Sequence, residues 1–235
     1  MKRLLMLVFF GWLFIVANSL ANDIYVTQSG DNLDLDITQD GQNNQAGNST
    51  TDISLSGASM TLEISQVGNS NIVKANINGA SYTGNMTMTG SSNTVDLDCD
   101  SASAGYCDDV SMSVDITGDN ADITIDLGST ADSSDFVGTI DISSAADETI
   151  TLTSNASGTL TAADVDIDIS NASGSVGNTG SYTQSGTGDS LGHSMTHSHT
   201  GDGAVINVTQ SGIYDNKLDL TTSGDSHTID ISQTD

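Results

Sequence analysis

The sequence predicts an all-β fold, a β-solenoid of stacked two-strand coils. Three observations carry that prediction. Apolar residues alternate with polar ones in short runs, glycines recur about every eleven residues, and the 235 residues include no proline. Alternation at period two marks a strand with one buried face. A strand of five or six residues and a glycine-centred turn use about eleven residues. Two such units make a coil of about 22, so nine or ten coils would stack to roughly 45 Å. The lack of proline suits a ladder that needs every backbone N–H.

The N-terminus is read apart from that fold. Lys2 and Arg3 precede the apolar run LLMLVFFGWLFIVA, and Ser19-Leu20-Ala21 places small residues at the exit. Residues 1–21 are expected to be a secretory signal peptide, cleaved after Ala21, leaving 22–235 as a single β-solenoid domain. The processed chain is then secreted, with no membrane segment left. It keeps Lys74 and Lys217 as its only basic side chains against 31 Asp and Glu. Such a surface repels nucleic acid and anionic lipid, which excludes both as partners.

The strands follow in order. LDLDI (33–37), TVDLDC (94–99), ADITIDL (121–127), VDIDIS (165–170), KLDL (217–220) and TIDIS (228–232) alternate cleanly. Cys99 and Cys107, the only cysteines, flank a small-residue loop. In an oxidising compartment they read as a local disulfide, contributing about 2–3 kcal/mol. Gln28-Ser29-Gly30 recurs as Gln39-Asp40-Gly41, and Gly57, Gly68, Gly79 and Gly90 are evenly spaced. The glutamines share the parity of the apolar residues: Gln28 with Ile24 and Val26, Gln66 with Ile64, Gln210 with Val208, Gln233 with Ile231. They are therefore expected inside, at strand ends. A buried amide is costly unless both its sides are hydrogen-bonded, and stacking on the equivalent glutamine one coil away does this repeatedly. Asparagines after the glycines, such as Asn71 and Asn93, are placed to cap the turns, and His227 takes that position after Gly224.

This pattern resembles the curlin repeat of curli fibre subunits, Ser-x5-Gln-x-Gly-x-Gly-Asn-x-Ala-x3-Gln. Gln28 to Gln39 reproduces the Gln-to-Gln interval, with Gly30 in place and Asn22 at the Ser position. Gln39, Gly41 and Asn44 match, as do Gln66, Gly68 and Asn71, and Gln184 with Gly186. Gln210 with Gly212, and Gln233, close the series. The second glycine is usually replaced, and residues 100–180 keep the strands but lose the Gln-Gly signature, so the resemblance covers 22–98 and 181–235. It implies a structural subunit (major, minor or nucleating) of an extracellular curli-like amyloid fibre serving adhesion and biofilm matrix. It also implies curli-type secretion and nucleation proteins as partners, and a Gram-negative-type bacterium as source. The alternative is a non-polymerising secreted β-solenoid, an adhesin or a binder of glycan, ice or cations; Thr151-Leu152-Thr153 is the kind of pair it would use.

Other chemistry is thinly represented. GDSL at 188–191 matches a short serine-esterase signature, but it lies inside a Gln-Gly repeat and no Asp-x-x-His follows it. No enzymatic activity and no cofactor are expected. His193, His197 and His199 share one parity, so one strand face presents three imidazoles at ligand-compatible spacing. The same face also reads as a solvated or ladder-paired polar strand. Outward aspartates stacked at coil spacing repel one another, which makes the chain sensitive to Ca²⁺ in a non-specific way.

Overall fold

The structure is a computed structural model. It describes residues 22–48, 50, 52–99, 109–127, 136–143, 149–156, 165–176, 179–186, 193–212 and 216–234. The expected leader, the GDSL segment and Cys107 lie outside them. Every regular element described is a strand. The first part of the chain carries β1 (Asp23–Ile24), β2 (Thr27–Ser29), β3 (Asp34–Asp40), β4 (Gln45–Ala46), β5 (Ile53–Ser56) and β6 (Met60–Val67). Next come β7 (Asn71–Asn78), β8 (Tyr82–Thr89), β9 (Asn93–Cys99), β10 (Ser111–Thr117), β11 (Ala121–Leu127) and β12 (Phe136–Ser143). The last part carries β13 (Thr149–Ala156), β14 (Val165–Val176), β15 (Thr179–Gly186), β16 (Ser194–Asp202), β17 (Val205–Ser211), β18 (Lys217–Ser223) and β19 (Thr228–Thr234).

From β5 onward successive strands alternate between two parallel sheets. Sheet A runs β1-β4-β7-β9-β11-β13-β15-β17-β19, with β2 and β5 completing its first two coils; sheet B holds the eight strands β3, β6, β8, β10, β12, β14, β16 and β18. All pairings among the described strands are parallel, for example Val95 beside Ile123 and Ile125 beside Leu152. The strands described between residues 109 and 180 pair into the same two sheets, although the repeat signature fades there.

The coil is longer than the expected 22 residues over much of the chain. Asn71 and Asn93 stack at a separation of 22, but Gln39 and Gln66 at 27, Gln184 and Gln210 at 26, and Gln210 and Gln233 at 23. The early excess has a visible origin. Ala46 pairs with Val73 and Ile53 with Ala75, so this coil has six positions between the two pairings where the next has only Lys74. Gly47 permits the departure because its φ is +75° and a Cβ there would come within 2.3 Å of the Lys74 carbonyl. Longer coils mean fewer of them: among the described residues sheet B has eight strands, where nine or ten coils were expected.

The core is thin and built in columns. Val73, Val95, Ile123 and Ile150 form one in sheet A, and Ile64, Met86, Val114 and Ile140 one in sheet B, all nearly inaccessible to solvent. At two core-facing glycines, Gly84 and Gly180, a tyrosine two residues away covers the position. A Cβ on Gly84 would lie 2.8 Å from the Tyr82 hydroxyl oxygen, and one on Gly180 2.4 Å from that of Tyr182.

The turns explain the missing second glycine. Turn backbones stack at coil spacing, so a Cβ on Gly79 would fall 1.6 Å from the Gly57 carbonyl oxygen, and only glycine fits. Two residues further the chain adopts a left-handed conformation, at Asn32 (φ 63°), Asn43 (φ 56°), Ser59 (φ 58°), Ser81 (φ 57°) and Asn120 (φ 55°). Asparagine tolerates that conformation and serine accepts it at some cost, so the turn shape of the G-x-G pattern survives without its second glycine.

Candidate assembly site

The glutamines point inward, as parity predicts. Gln39, Gln66, Gln184 and Gln210 are buried; Gln28 is half-buried and Gln233 exposed, because each lies in an end coil. Two ladders result. Gln66 Nε2 donates to Gln39 Oε1 at 2.7 Å. Gln210 Nε2 donates to Gln184 Oε1 and Gln233 Nε2 to Gln210 Oε1, each at 2.6 Å. Each amide also crosses to the next arc: Gln66 donates to the Ile72 carbonyl at 3.1 Å, Gln184 to Ser194 at 3.0 Å and Gln210 to Lys217 at 3.0 Å. The glutamine thus closes the turn that follows its own strand.

Gln28 departs from this scheme. Its coil neighbour is Leu55, not another glutamine, so it starts no ladder within the molecule. In the middle coils the slot after Gln66 is filled by Met88, Ile116 and Ile142 in succession. Gln66 Oε1, facing Met88, is buried without a donor. That gap was readable in Met88-Thr89-Gly90 and Ile116-Thr117-Gly118, which hold apolar residues where Gln66-Val67-Gly68 holds glutamine.

Asparagines expected only as turn caps form a ladder of their own. Asn22 Nδ2 donates to Asn44 Oδ1 (3.3 Å), Asn44 to Asn71 (3.2 Å) and Asn71 to Asn93 (2.9 Å). They cap as well: Asn44 donates to the Val67 carbonyl at 2.9 Å and Asn71 to that of Thr89 at 3.0 Å. Gly30, Gly41, Gly68 and Gly212 donate backbone N–H bonds to the adjacent coil at the turns, and Gly186 ends β15.

The histidines do not form the solvated polar strand that was one expectation. His193, just before β16, and His197 and His199 within it are buried. His197 packs on Tyr182 with ring centroids 5.2 Å apart, stacks on His199 at 6.5 Å, and His199 meets His227 edge-on at 5.6 Å. His199 occupies a glutamine slot and His227 an asparagine slot. Burial first, and neighbouring His199 second, push the His197 imidazole down to about 4; burial and then His227 lower that of His199. Among the described residues no three or more His, Cys, Asp or Glu are arranged to hold a metal. Cys99 is disulfide-bonded, and the chain's other cysteine is Cys107.

Outward columns carry the charge. Asp36 stands beside Glu63, Asp98 beside Asp126 and Asp115 beside Asp141, one coil apart. In another outward column Lys74 pairs with Asp96 one coil away.

Among the described residues nothing covers either end of the stack. At the N-terminal end Ile24, Val26, Leu33 and Leu35 are only partly buried against the core. At the C-terminal end Leu218 and Leu220 are likewise partly buried, and Ile229 and Ile231 are 41% and 45% exposed although their parity faces the core. No helix among the described residues is long and apolar enough to cross a membrane. Comparison with family models, curated proteins and solved structures returns no match.

Proposed function

We propose that the chain is a secreted structural subunit, related to curli subunits, that polymerises through its end coils into an extracellular amyloid-type fibre for adhesion and matrix formation. The observation that carries this reading is the pair of bare ends. A finished solenoid needs polar capping coils, because an open sheet edge with an apolar face is a template for another strand. Here the last inward residues, Ile229 and Ile231, stand in solvent, and Gln233 ends the amide ladder with Oε1 outermost. Partners are further copies, with secretion and nucleation proteins of the curli type; nucleic acid is excluded by the net charge of −27.

A second reading, a non-polymerising surface adhesin or ligand binder, has one observation in its favour. The outer face of β13, β15 and β17 offers Thr151, Thr153, Ser181, Thr183 and Thr209 in rows with no charged residue between them. Electron microscopy of the processed chain after days at high concentration separates the two. Fibres with a cross-β repeat near 4.8 Å support the first; a lasting monomer without thioflavin response supports the second.

A further inference from the structure

We propose that copies join by strand exchange: β19 of one molecule takes the place of β1 and β2 in the next. The inference rests on the fibre reading, removal of residues 1–21 included. Its starting point is a mismatch in strand number. Among the described residues sheet A has nine positions along its path and sheet B eight strands, so the first and the last described strands both lie in sheet A. Gln39 at the end of β3 donates to the carbonyl of Asn22, before β1, and at 3.2 Å to that of Gln45 in β4. Each strand of sheet B therefore lies at a height between two coils of sheet A. If an intact β1–β2 were stacked on β19, β18 and the next copy's β3 would stand two spacings apart, about 10 Å. One strand would be missing from sheet B at every junction, with both flanking edges unpaired. If β3 instead pairs directly with β18, β19 and β1–β2 claim the same place, and one must leave.

The segment equipped to leave is the first. β1 and β2 have two and three residues, broken at Tyr25-Val26, and none of their residues is fully buried. β19 is continuous over seven residues and pairs with β17 along all of them. It also carries the chemistry of the strand it would replace. Position by position, Asn22-Asp23-Ile24-Tyr25-Val26-Thr27-Gln28-Ser29 corresponds to His227-Thr228-Ile229-Asp230-Ile231-Ser232-Gln233-Thr234. Ile229 then covers Ala46 and Ile231 covers Ile53 of the next copy, as Ile24 and Val26 do now. In sheet B, Leu218 falls on Leu35 and Leu220 on Ile37, burying the half-covered leucines. Lys217 falls on Asp34, repeating between copies the arrangement of Lys74 and Asp96 within one. The product is one uninterrupted solenoid.

Outward-facing cysteines test this. Thr27 pairs with Ser54 across β2 and β5, at a spacing suited to a disulfide. The Thr27→Cys/Ser54→Cys variant, oxidised, locks β2 in place without touching the core, and its monomer fold is checked by circular dichroism. We expect its elongation from preformed seeds to fall at least tenfold and to recover on reduction, while the unmodified chain with and without reductant controls for the native disulfide. A Ser232→Cys/Ser54→Cys variant is expected to cross-link neighbouring copies in the fibre. Elongation of the locked variant at the normal rate overturns the exchange and leaves the fibre reading standing. So does cross-linking by Ser232→Cys/Thr27→Cys alone, the mark of simple stacking. An unmodified chain that forms no fibre overturns both.

Discussion

Replacing Gln210 by leucine should cost more than the same change at Gln66, although both amides are fully buried. Gln210 takes part in three hydrogen bonds: to Gln184 Oε1 at 2.6 Å, to the Lys217 carbonyl at 3.0 Å, and from Gln233 Nε2 at 2.6 Å. Leucine keeps most of the volume but strands the Gln184 and Lys217 acceptors. A buried acceptor that loses its donor costs about 1–3 kcal/mol, partly offset by the added apolar side chain, so a net loss of about 2–4 kcal/mol is expected. Gln66 donates twice, to Gln39 Oε1 and the Ile72 carbonyl, but its own Oε1 already lacks a donor. Substitution removes that standing penalty, which brings the net loss to about 1–2 kcal/mol. Thr209→Ala, on the exposed face of β17, should change stability by no more than about 0.5 kcal/mol. Urea denaturation of the monomer at pH 7, followed by far-UV circular dichroism, reads the difference. At an m-value of about 2–3 kcal/mol/M, Gln210→Leu should lower the midpoint by about 1 M. A midpoint for Gln66→Leu at or below that of Gln210→Leu would refute the ladder accounting, and a large effect of Thr209→Ala would refute the inward assignment itself.

Four further outcomes are expected. The His197 imidazole is held near 4 against an ordinary 6.5, so its contribution is complete above about pH 6.5 and is lost as the pH falls towards 4, by about 3 kcal/mol in all; a midpoint-versus-pH curve should flatten over that window in His197→Phe. Acid also neutralises the stacked carboxylates, so added salt at pH 7 is the cleaner test of charge repulsion and should speed fibre growth. Ser81→Gly removes an L-residue from φ 57° and should raise the thermal midpoint, by a gain of about 0.5–1 kcal/mol. Gly79→Ala drives a methyl group to 1.6 Å from the Gly57 carbonyl oxygen, and a loss of about 3 kcal/mol or more should show as a collapsed midpoint or an insoluble chain.

Strand identity, parity and the inward glutamines were legible because alternation is a property of one strand and needs no partner. Coil length was not. It depends on how many residues lie between strands, as at 47–52 opposite Lys74, and such insertions leave the alternation on either side untouched. Register was hidden for the same reason: Asn44, Asn71 and Asn93 are visible as turn residues, but that they stack needs the pairing of coils. The three imidazoles in and just before β16 were assigned correctly to one face. What parity withholds is which face is buried when the residues themselves are polar, and there the apolar neighbour Met195 was the available signal. The left-handed seats at Ser59 and Ser81 looked like departures from a motif because sequence records the residue and not its φ.

The parallel pairing of each strand with one a single coil away also shapes how the chain folds. Contacts such as Asn71 with Asn93, 22 residues apart, close short loops, and the entropy cost of closing the longer ones rises only with the logarithm of their length. The contact order stays low for a protein made wholly of strands. The costly event is the first meeting of two coils; after it, each new coil meets a ready edge and adds one increment of interface. A chain emerging gradually into its final compartment can therefore fold from whichever end arrives first, without waiting for the rest.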